Sequence, residues 1–359
     1  MSILTRCKMA NRGMLAAMVA STCVFASMGH ADANRMKVVT ASPGGLWYSL
    51  GARYAQILEQ NIDGLTVTSS QGGSVPNARQ VNAGEADVGI IYTDLAQKAY
   101  TGTAPFREEL ENLRVLAAIA PGKLQVAVPK SGDIQTLNDL ADKRINPTPI
   151  GWGTRDIAEM VLETGVGLTF DGIQSNGGNV FGVGHDDGMN MMVNGQLDAL
   201  FFLGGAASTI MSLDSNPGVR LIPIDGEVRT NILESQQNEG GVFFADEVTS
   251  DMYEFVDQPV PTIGVMQVFI VNKDLPEVRA YEMVKLLYEQ REELVDLFAG
   301  QASEAFDIQA SAKAAVIPFH PGARAIWKNR ACPSPSDDQS APCTGFSTGA
   351  RSHMSGVVL

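Results

Sequence analysis

The chain has 359 residues, 40 acidic against 26 basic side chains, a formal net charge of −14 and 45% hydrophobic residues. That length supports two domains with sizeable cores, and the acidic balance excludes a nucleic-acid-binding role, which needs a basic face. An anionic ligand is not excluded, because a cleft can bind through local dipoles against the net charge.

Arg6, Lys8 and Arg12 give a basic start, Met14 to Met28 is apolar but too short to span a bilayer, and Ala31-Asp32-Ala33 supplies an A-x-A cleavage site. This is the pattern of a secretory signal peptide over residues 1–33. It predicts a periplasmic product, cleaved near Ala31 or Ala33, that is soluble and monomeric. No later segment is apolar and long enough to cross a membrane. Cleavage leaves two cysteines, Cys332 and Cys343, in a compartment where disulfides persist, so a bond closing a short loop is expected. With no histidine nearby at ligand spacing, the pair does not make a zinc site.

Two glycine-rich turns follow: Ala41-Ser42-Pro43-Gly44-Gly45-Leu46-Trp47-Tyr48 and Ser69-Ser70-Gln71-Gly72-Gly73-Ser74-Val75-Pro76. Each comes after a strand-like stretch, Met36 to Thr40 and Leu65 to Ser69, and each precedes a helix-like run. Such a turn delivers the chain to a helix N-terminus, where unpaired N–H groups and the dipole favour an anion. Leu50, Tyr54, Ile57 and Leu58 lie at helical spacing after the first turn. Ser74 is expected to cap the second helix, with Pro76 in its first turn and an end near Gly84. Asp87 to Tyr92 reads as a buried strand.

One pattern occurs twice. Val81 to Ile91 reads as helix end, glycine, acid, apolar strand, and Val193 to Phe202 repeats it. This is one arm of a parallel α/β unit, and it reads either as two similar lobes or as an ordinary αβ loop met twice. Leu124 to Pro129 is a strand. Ile145 to Ile150 is another, reaching Gly151-Trp152-Gly153-Thr154-Arg155-Asp156. Thr154 is expected to cap a helix from Arg155 to Glu163 that carries Asp156 and Glu159 in its early turns. The apolar run Val260 to Val271 returns the chain to the first lobe. Pro276 to Phe298 reads as helical, with Val278, Tyr281, Val284, Leu287 and Tyr288 on one side. After Arg330 the Pro-, Ser-, Gly- and Asp-rich tail reads as loop.

No G-x-x-x-x-G-K-[ST], H-E-x-x-H or G-x-G-x-x-G pattern is present. Gly345-Phe346-Ser347-Thr348-Gly349 matches a nucleophile elbow, but it lies in the tail without the strand and helix an elbow needs, and His353 nearby changes little. His185-Asp186-Asp187 reads as a polar helix start rather than a metal cluster. His320-Pro321-Gly322 reads as a turn, and Met189, Met191 and Met192 as core. Trp47, Tyr48 and Trp152 flank the glycine turns, as aromatic walls of a cleft or as ordinary packing. Arg155 sits where the helix dipole disfavours a cation. It pairs either with a ligand carboxylate or with a surface acid.

At these residues the chain resembles the TAXI solute receptors, the extracytoplasmic binding proteins of one class of TRAP transporter. The resemblance rests on Thr40 to Tyr48, Ser70 to Val75, Ala83 to Asp87, Gly151 to Arg155, Asp198 to Phe202, Ile222 to Gly226 and Ile317 to Gly322, collinear over about residues 36 to 325. It implies an α/β type II periplasmic-binding-protein fold, with two lobes, a hinge and an inter-lobe cleft. The expected division is 34–125 plus 265–330 for lobe 1, 126–264 for lobe 2 and 331–359 for the tail. It further implies a small carboxylate ligand, such as glutamate or 2-oxoglutarate, handed to a TRAP permease, with no cofactor, no metal and no catalysis. Ligand contacts carry over to Ser42, Gly45, Trp47 and Tyr48, to Gly73 and Ser74, to Tyr92, Thr93 and Asp94, and to Gly153, Thr154 and Arg155. Pro43, Leu46, Tyr92 and Trp152 depart from the residues usual at those places. A sensing subunit for a membrane kinase would share this fold, and an exported hydrolase using Ser347 or His185 is the enzymatic alternative.

Overall fold

The computed structural model describes residues 34–43, 45–235, 241–307 and 314–331, with side chains through residue 326. The expected signal peptide, the Cys332–Cys343 bond, Gly44, Ser347 and His353 lie outside those residues.

The first part of the chain runs β1 (Arg35–Val39), α1 (Leu46–Asn61), β2 (Thr66–Ser70), α2 (Ser74–Asn82), β3 (Val88–Tyr92) and α3 (Thr93–Tyr100). The long β4 (Leu113–Pro129) carries it into a second lobe of β5 (Arg144–Asn146), α4 (Gly153–Val166), α5 (Phe170–Ser175), β6 (Asn179–Val180), α6 (His185–Val193), β7 (Ala199–Gly204), α7 (Ser208–Ser215), β8 (Val219–Leu221), α8 (Gly226–Glu234) and β9 (Phe243–Val248). β10 (Val260–Asn272) returns the chain to α9 (Glu277–Glu289), α10 (Glu292–Val295) and α11 (Pro321–Ala331). Among the described residues the strands form one curled sheet in the order β2-β1-β3-β10-β4-β7-β5-β6, with β8 also on β4 and β9 on β10. β1 pairs in parallel with β2 and β3, and β5 with β6 and β7, while β4 and β10 run antiparallel to each other through both lobes. The positions 125/126 and 264/265 fall inside these two crossing strands.

The pattern of burial explains the elements. All five residues of β3 are buried, as are Thr262 to Val271 of β10, because helices cover both faces of the sheet there. On α1 the buried Leu50, Tyr54, Ile57 and Leu58 form one stripe, and Tyr54 Oη donates to the carbonyl of Met283 on α9 at 2.9 Å.

The repeated sequence pattern corresponds to one structural unit built twice. In the first lobe, Gly84 turns the chain at φ 73°, and Asp87 Oδ2 accepts the backbone N–H of Lys37 on β1 at 2.7 Å. In the second, Gly195 turns at φ 67°, and Asp198 Oδ2 accepts the N–H of Arg144 on β5 at 2.8 Å. Each aspartate thus ties the start of one strand to the strand parallel to it.

Four expectations are corrected. β5 ends at Asn146 rather than Ile150: Pro147 and Pro149 have no N–H to give a ladder, and Thr148 takes φ 80°. Ser74 and Thr154 do not cap their helices; Gly73 and Trp152 hold the N-cap positions, and neither helix has a side-chain cap. The helix expected over 276–298 is broken after Glu289, where Arg291 donates to the carbonyls of Ala302 and Ala305 further along the chain. Val278 and Tyr281 lie at the surface, while Val284 and Leu287 are buried.

Candidate ligand-binding cleft

The parallel strands of both lobes end facing each other; β1, β2, β5, β6 and β7 pass the chain to a helix through a glycine-containing turn, while β3 runs directly into α3. Between them lies a cleft of ≈ 640 Å³. Its lining comes from the starts of five helices: Gly45 to Trp47 (α1), Gly73 and Ser74 (α2), Trp152 to Thr154 (α4), Gly184 to Asp187 (α6) and Ala207 to Thr209 (α7). Five helix N-termini, each a positive dipole end, therefore border one space. No lysine or arginine is among the described lining residues.

On the first lobe the second glycine turn is held by Asn77, which is fully buried. Its Nδ2 donates to the carbonyls of Thr40 at 2.7 Å and Ile90 at 2.8 Å, and its Oδ1 accepts from Gly73 N–H at 3.1 Å. A side chain at Gly72 would strike Asn77 Oδ1 at 2.0 Å, so glycine is required there by close approach. Asn77→Ala leaves two buried carbonyls and one N–H without partners. It is expected to lower stability by about 3 kcal/mol in equilibrium denaturation; a loss within 0.5 kcal/mol, the usual range for surface substitutions, would show that the turn holds itself.

The floor is set by β10. Its register against β4 shifts between Met266 and Val268, and such an irregularity re-aims a side chain. Gln267, at that point, accepts from Trp47 Nε1 and donates to the carbonyl of Pro121 at 3.1 Å. Trp47 lies against Tyr92 with ring centroids 4.7 Å apart.

On the second lobe, His185 sits between Trp152 (5.4 Å) and Phe202 (4.7 Å), making an aromatic wall. Burial pushes its imidazole down to about 4, so it is neutral at pH 7, and its Nε2 is buried without a partner. The turn before α7 is fixed from behind: Gln125 Nε2 donates to the carbonyls of Gly204 and Gly205, and Tyr253 Oη accepts from Ala207 N–H while donating to Gln125 Oε1. The lobes touch beside the cleft. Tyr92 Oη donates to the Leu203 carbonyl at 2.8 Å, and Val75 N–H to the Gly151 carbonyl at 3.3 Å.

Of the residues expected from sequence, Ser42, Gly45, Trp47, Gly73, Ser74, Tyr92, Gly153 and Thr154 line the cleft. Tyr48, Thr93, Asp94 and Arg155 do not. Tyr48 is half-buried beside it. Thr93 and Asp94 are buried at the start of α3, with Asp94 3.7 Å from Lys98. Arg155 donates from Nη1 to the carbonyls of Thr148 at 3.1 Å and Phe181 at 3.2 Å and lies over the Phe170 ring. Those acceptors and that ring offset the cation's position at the start of α4.

Phe202, Gln267 and Asn77 were not legible as site residues, and His185 was legible only as a residue of the hydrolase alternative. A signal existed for the α7 edge: Leu203-Gly204-Gly205-Ala206-Ala207-Ser208 is another apolar strand followed by glycines and a helix. Asn77 and Gln267 carry no such mark, since their roles depend on long-range partners.

Asp156, in the first turn of α4, is pushed up to about 6, first by burial and then by Asp94. Lys98 and Arg155 oppose this and Glu159 adds to it. Because its folded value lies above the unfolded one, its contribution is fully present below pH 3.8 and is lost as pH rises through about 6. His185 acts in the opposite sense, its contribution being lost as pH falls from 6.5 towards about 4, so the wild-type profile mixes the two. The difference between Asp156→Asn and wild type isolates the first. The variant is expected to gain about 2–3 kcal/mol relative to wild type between pH 4 and pH 7.5, read from urea titrations at each pH. A difference independent of pH would refute it.

Residues 38–330 match the NMT1-like family. Among solved structures, the periplasmic binding protein BugD aligns with a TM-score of 0.50 at 13% identity, covering 83% of this chain and 97% of that one. The alkanesulfonate-binding protein SsuA from Xanthomonas axonopodis pv. citri, bound to MOPS, aligns at 0.44 and 15% identity over 79% and 84% of the two chains. An ancestral arginine-binding protein bound to arginine aligns at 0.44 and 14% over 74% and 96%. The architecture is that of the type II periplasmic binding proteins. No helix of the described residues is long and apolar enough to cross a membrane.

Proposed function

The chain belongs to the NMT1-like family, and on that premise we propose that it is an extracytoplasmic solute-binding protein for a small carboxylate. The observation that carries this reading is the convergence of five helix N-termini on a cleft whose described lining residues include no cation. Backbone dipoles and a buried hydroxyl can hold one anion without a guanidinium or ammonium. The expected clamp of Arg155 on the ligand is replaced in this reading. Arg155 ties the Thr148 carbonyl to that of Phe181, and the anion meets N–H groups of opposite lobes. The lobes close on the ligand by a hinge in β4 and β10. The closed form presents a surface spanning both lobes to a membrane permease of the TRAP type. The protein catalyses nothing and needs no cofactor.

A thermal-shift panel of amino acids, monocarboxylates, dicarboxylates and sulfonates tests the reading, because a ligand that binds only the folded state raises the midpoint. At least one organic anion is expected to raise it progressively with concentration. A folded protein that responds to none of them, or one that hydrolyses an ester in a Ser347-dependent way, would overturn it.

A further inference from the structure

The chemistry of the cleft also bears on which carboxylate it takes. This inference rests on the solute-binding reading above and narrows it. Charge is the first constraint. The acidic side chains among the described lining residues are Asp186 and Asp187, both exposed in the first turn of α6. A second carboxylate on the ligand would find no cation and would face these two acids. An α-ammonium buried in the cleft would find no buried carboxylate on its walls, and burying a charge without a partner is strongly unfavourable.

Polar anchors are the second constraint. Ser74 is fully buried, lies at the first position of α2, lines the cleft, and its Oγ has no hydrogen-bond partner in the protein. A buried hydroxyl is rarely left unmatched, and at a helix N-terminus its complement is an acceptor carrying negative charge. His185 Nε2, on the facing lobe, is a second buried atom without a partner. The neutral ring offers one donor or one acceptor rather than a charge.

Shape is the third. Trp152, His185 and Phe202 make one wall, and Trp47 with Tyr92 the other. Aromatic side chains on both sides favour a flat apolar guest. We propose that the cleft selects a monocarboxylate bearing an aromatic ring, with its carboxylate at Ser74 and the helix starts and its ring against Phe202 and Trp152. On this assignment dicarboxylates and free α-amino acids are rejected.

Calorimetric titration of the exported protein with phenylacetate, benzoate, acetate, succinate, 2-oxoglutarate and L-glutamate tests it. Phenylacetate or benzoate is expected to bind at least ten-fold more tightly than every other member. Phe202→Ala should weaken the aromatic acids about ten-fold, and Ser74→Ala should weaken every acid that binds. Phe202→Leu serves if the alanine variant is unstable. Tighter binding of a dicarboxylate, an amino acid or acetate overturns this assignment while leaving the solute-binding reading intact. Binding of none of the six also overturns it, and the wider anion panel then decides the reading beneath it.

Discussion

Gly153→Val is expected to abolish ligand binding while leaving a folded protein. Gly153 opens α4 in the second lobe, and a Cβ added there would lie 2.5 Å from Tyr92 Cδ2 and 2.9 Å from Ser74 Oγ. Both neighbours belong to the first lobe, so the clash acts between lobes rather than within a core. Its backbone is helical, so the added side chain strains no dihedral at its own position. The relief available is separation of the lobes by rotation about β4 and β10, which the fold permits without unfolding either one. Separation pulls the starts of α2 and α4 apart and removes the two-sided hold on the anion. A loss of at least a hundred-fold in affinity, about 3 kcal/mol, is expected for whichever anion the wild type binds. The unfolding midpoint of the ligand-free variant should stay within a few degrees of wild type, and small-angle scattering should report a larger radius of gyration. Wild-type affinity in the variant would mean that the close approach of Gly153 to Tyr92 is not part of the binding geometry.

Phe269→Ala is expected to cost about 3–5 kcal/mol of folding stability, the range for deleting a large aromatic from a packed core. Phe269 is fully buried on β10, the strand paired with both β3 and β4, and its ring lies 4.9 Å from that of Tyr54 on α1. The Tyr54 hydroxyl, bonded to Met283, holds that ring in place, so the cavity has little means of collapsing. Because β10 runs through both lobes, the loss should appear as one cooperative transition shifted to lower urea, with the slope unchanged. A cost below about 1 kcal/mol would show that the site collapses, and two separated transitions would show that the lobes unfold independently.

Much of this architecture was legible because its signals are local. The glycine turns at Gly72-Gly73 and Gly151 to Gly153 mark places where backbone meets backbone. The stripe Leu50, Tyr54, Ile57, Leu58 marks the buried face of α1. The run Val260 to Val271 marks a strand covered on both sides. The doubled helix–glycine–acid–strand pattern was readable as a sequence, but its meaning was not: Asp87 and Asp198 matter because Lys37 and Arg144 lie far away in the chain and beside them in space.

Local rules also misled where tertiary partners took over. Ser74 and Thr154 are good capping residues by type, yet glycine and tryptophan hold the N-cap positions, and the Ser74 hydroxyl is buried without a partner in the protein. Arg155 reads as an anion clamp until the carbonyls of Thr148 and Phe181 are seen to occupy it. Val278 and Tyr281 share the periodicity of α9 but fall on its outer side. His185 could be read as a helix start or as a hydrolase residue but not as part of an aromatic wall, because its neighbours Trp152 and Phe202 come from separate elements.

Intrinsic fluorescence reads anion binding between the lobes, since two of the chain's three tryptophans, Trp47 and Trp152, line the cleft from opposite lobes. The protein is titrated with each acid of the panel, and shielding from iodide quenching is followed alongside emission. An organic anion is expected to give a saturable one-to-one change in emission with reduced quenching in wild type, and none in Gly153→Val. A folded wild-type protein with no saturable response to any acid, or an equal response in the variant, would contradict it.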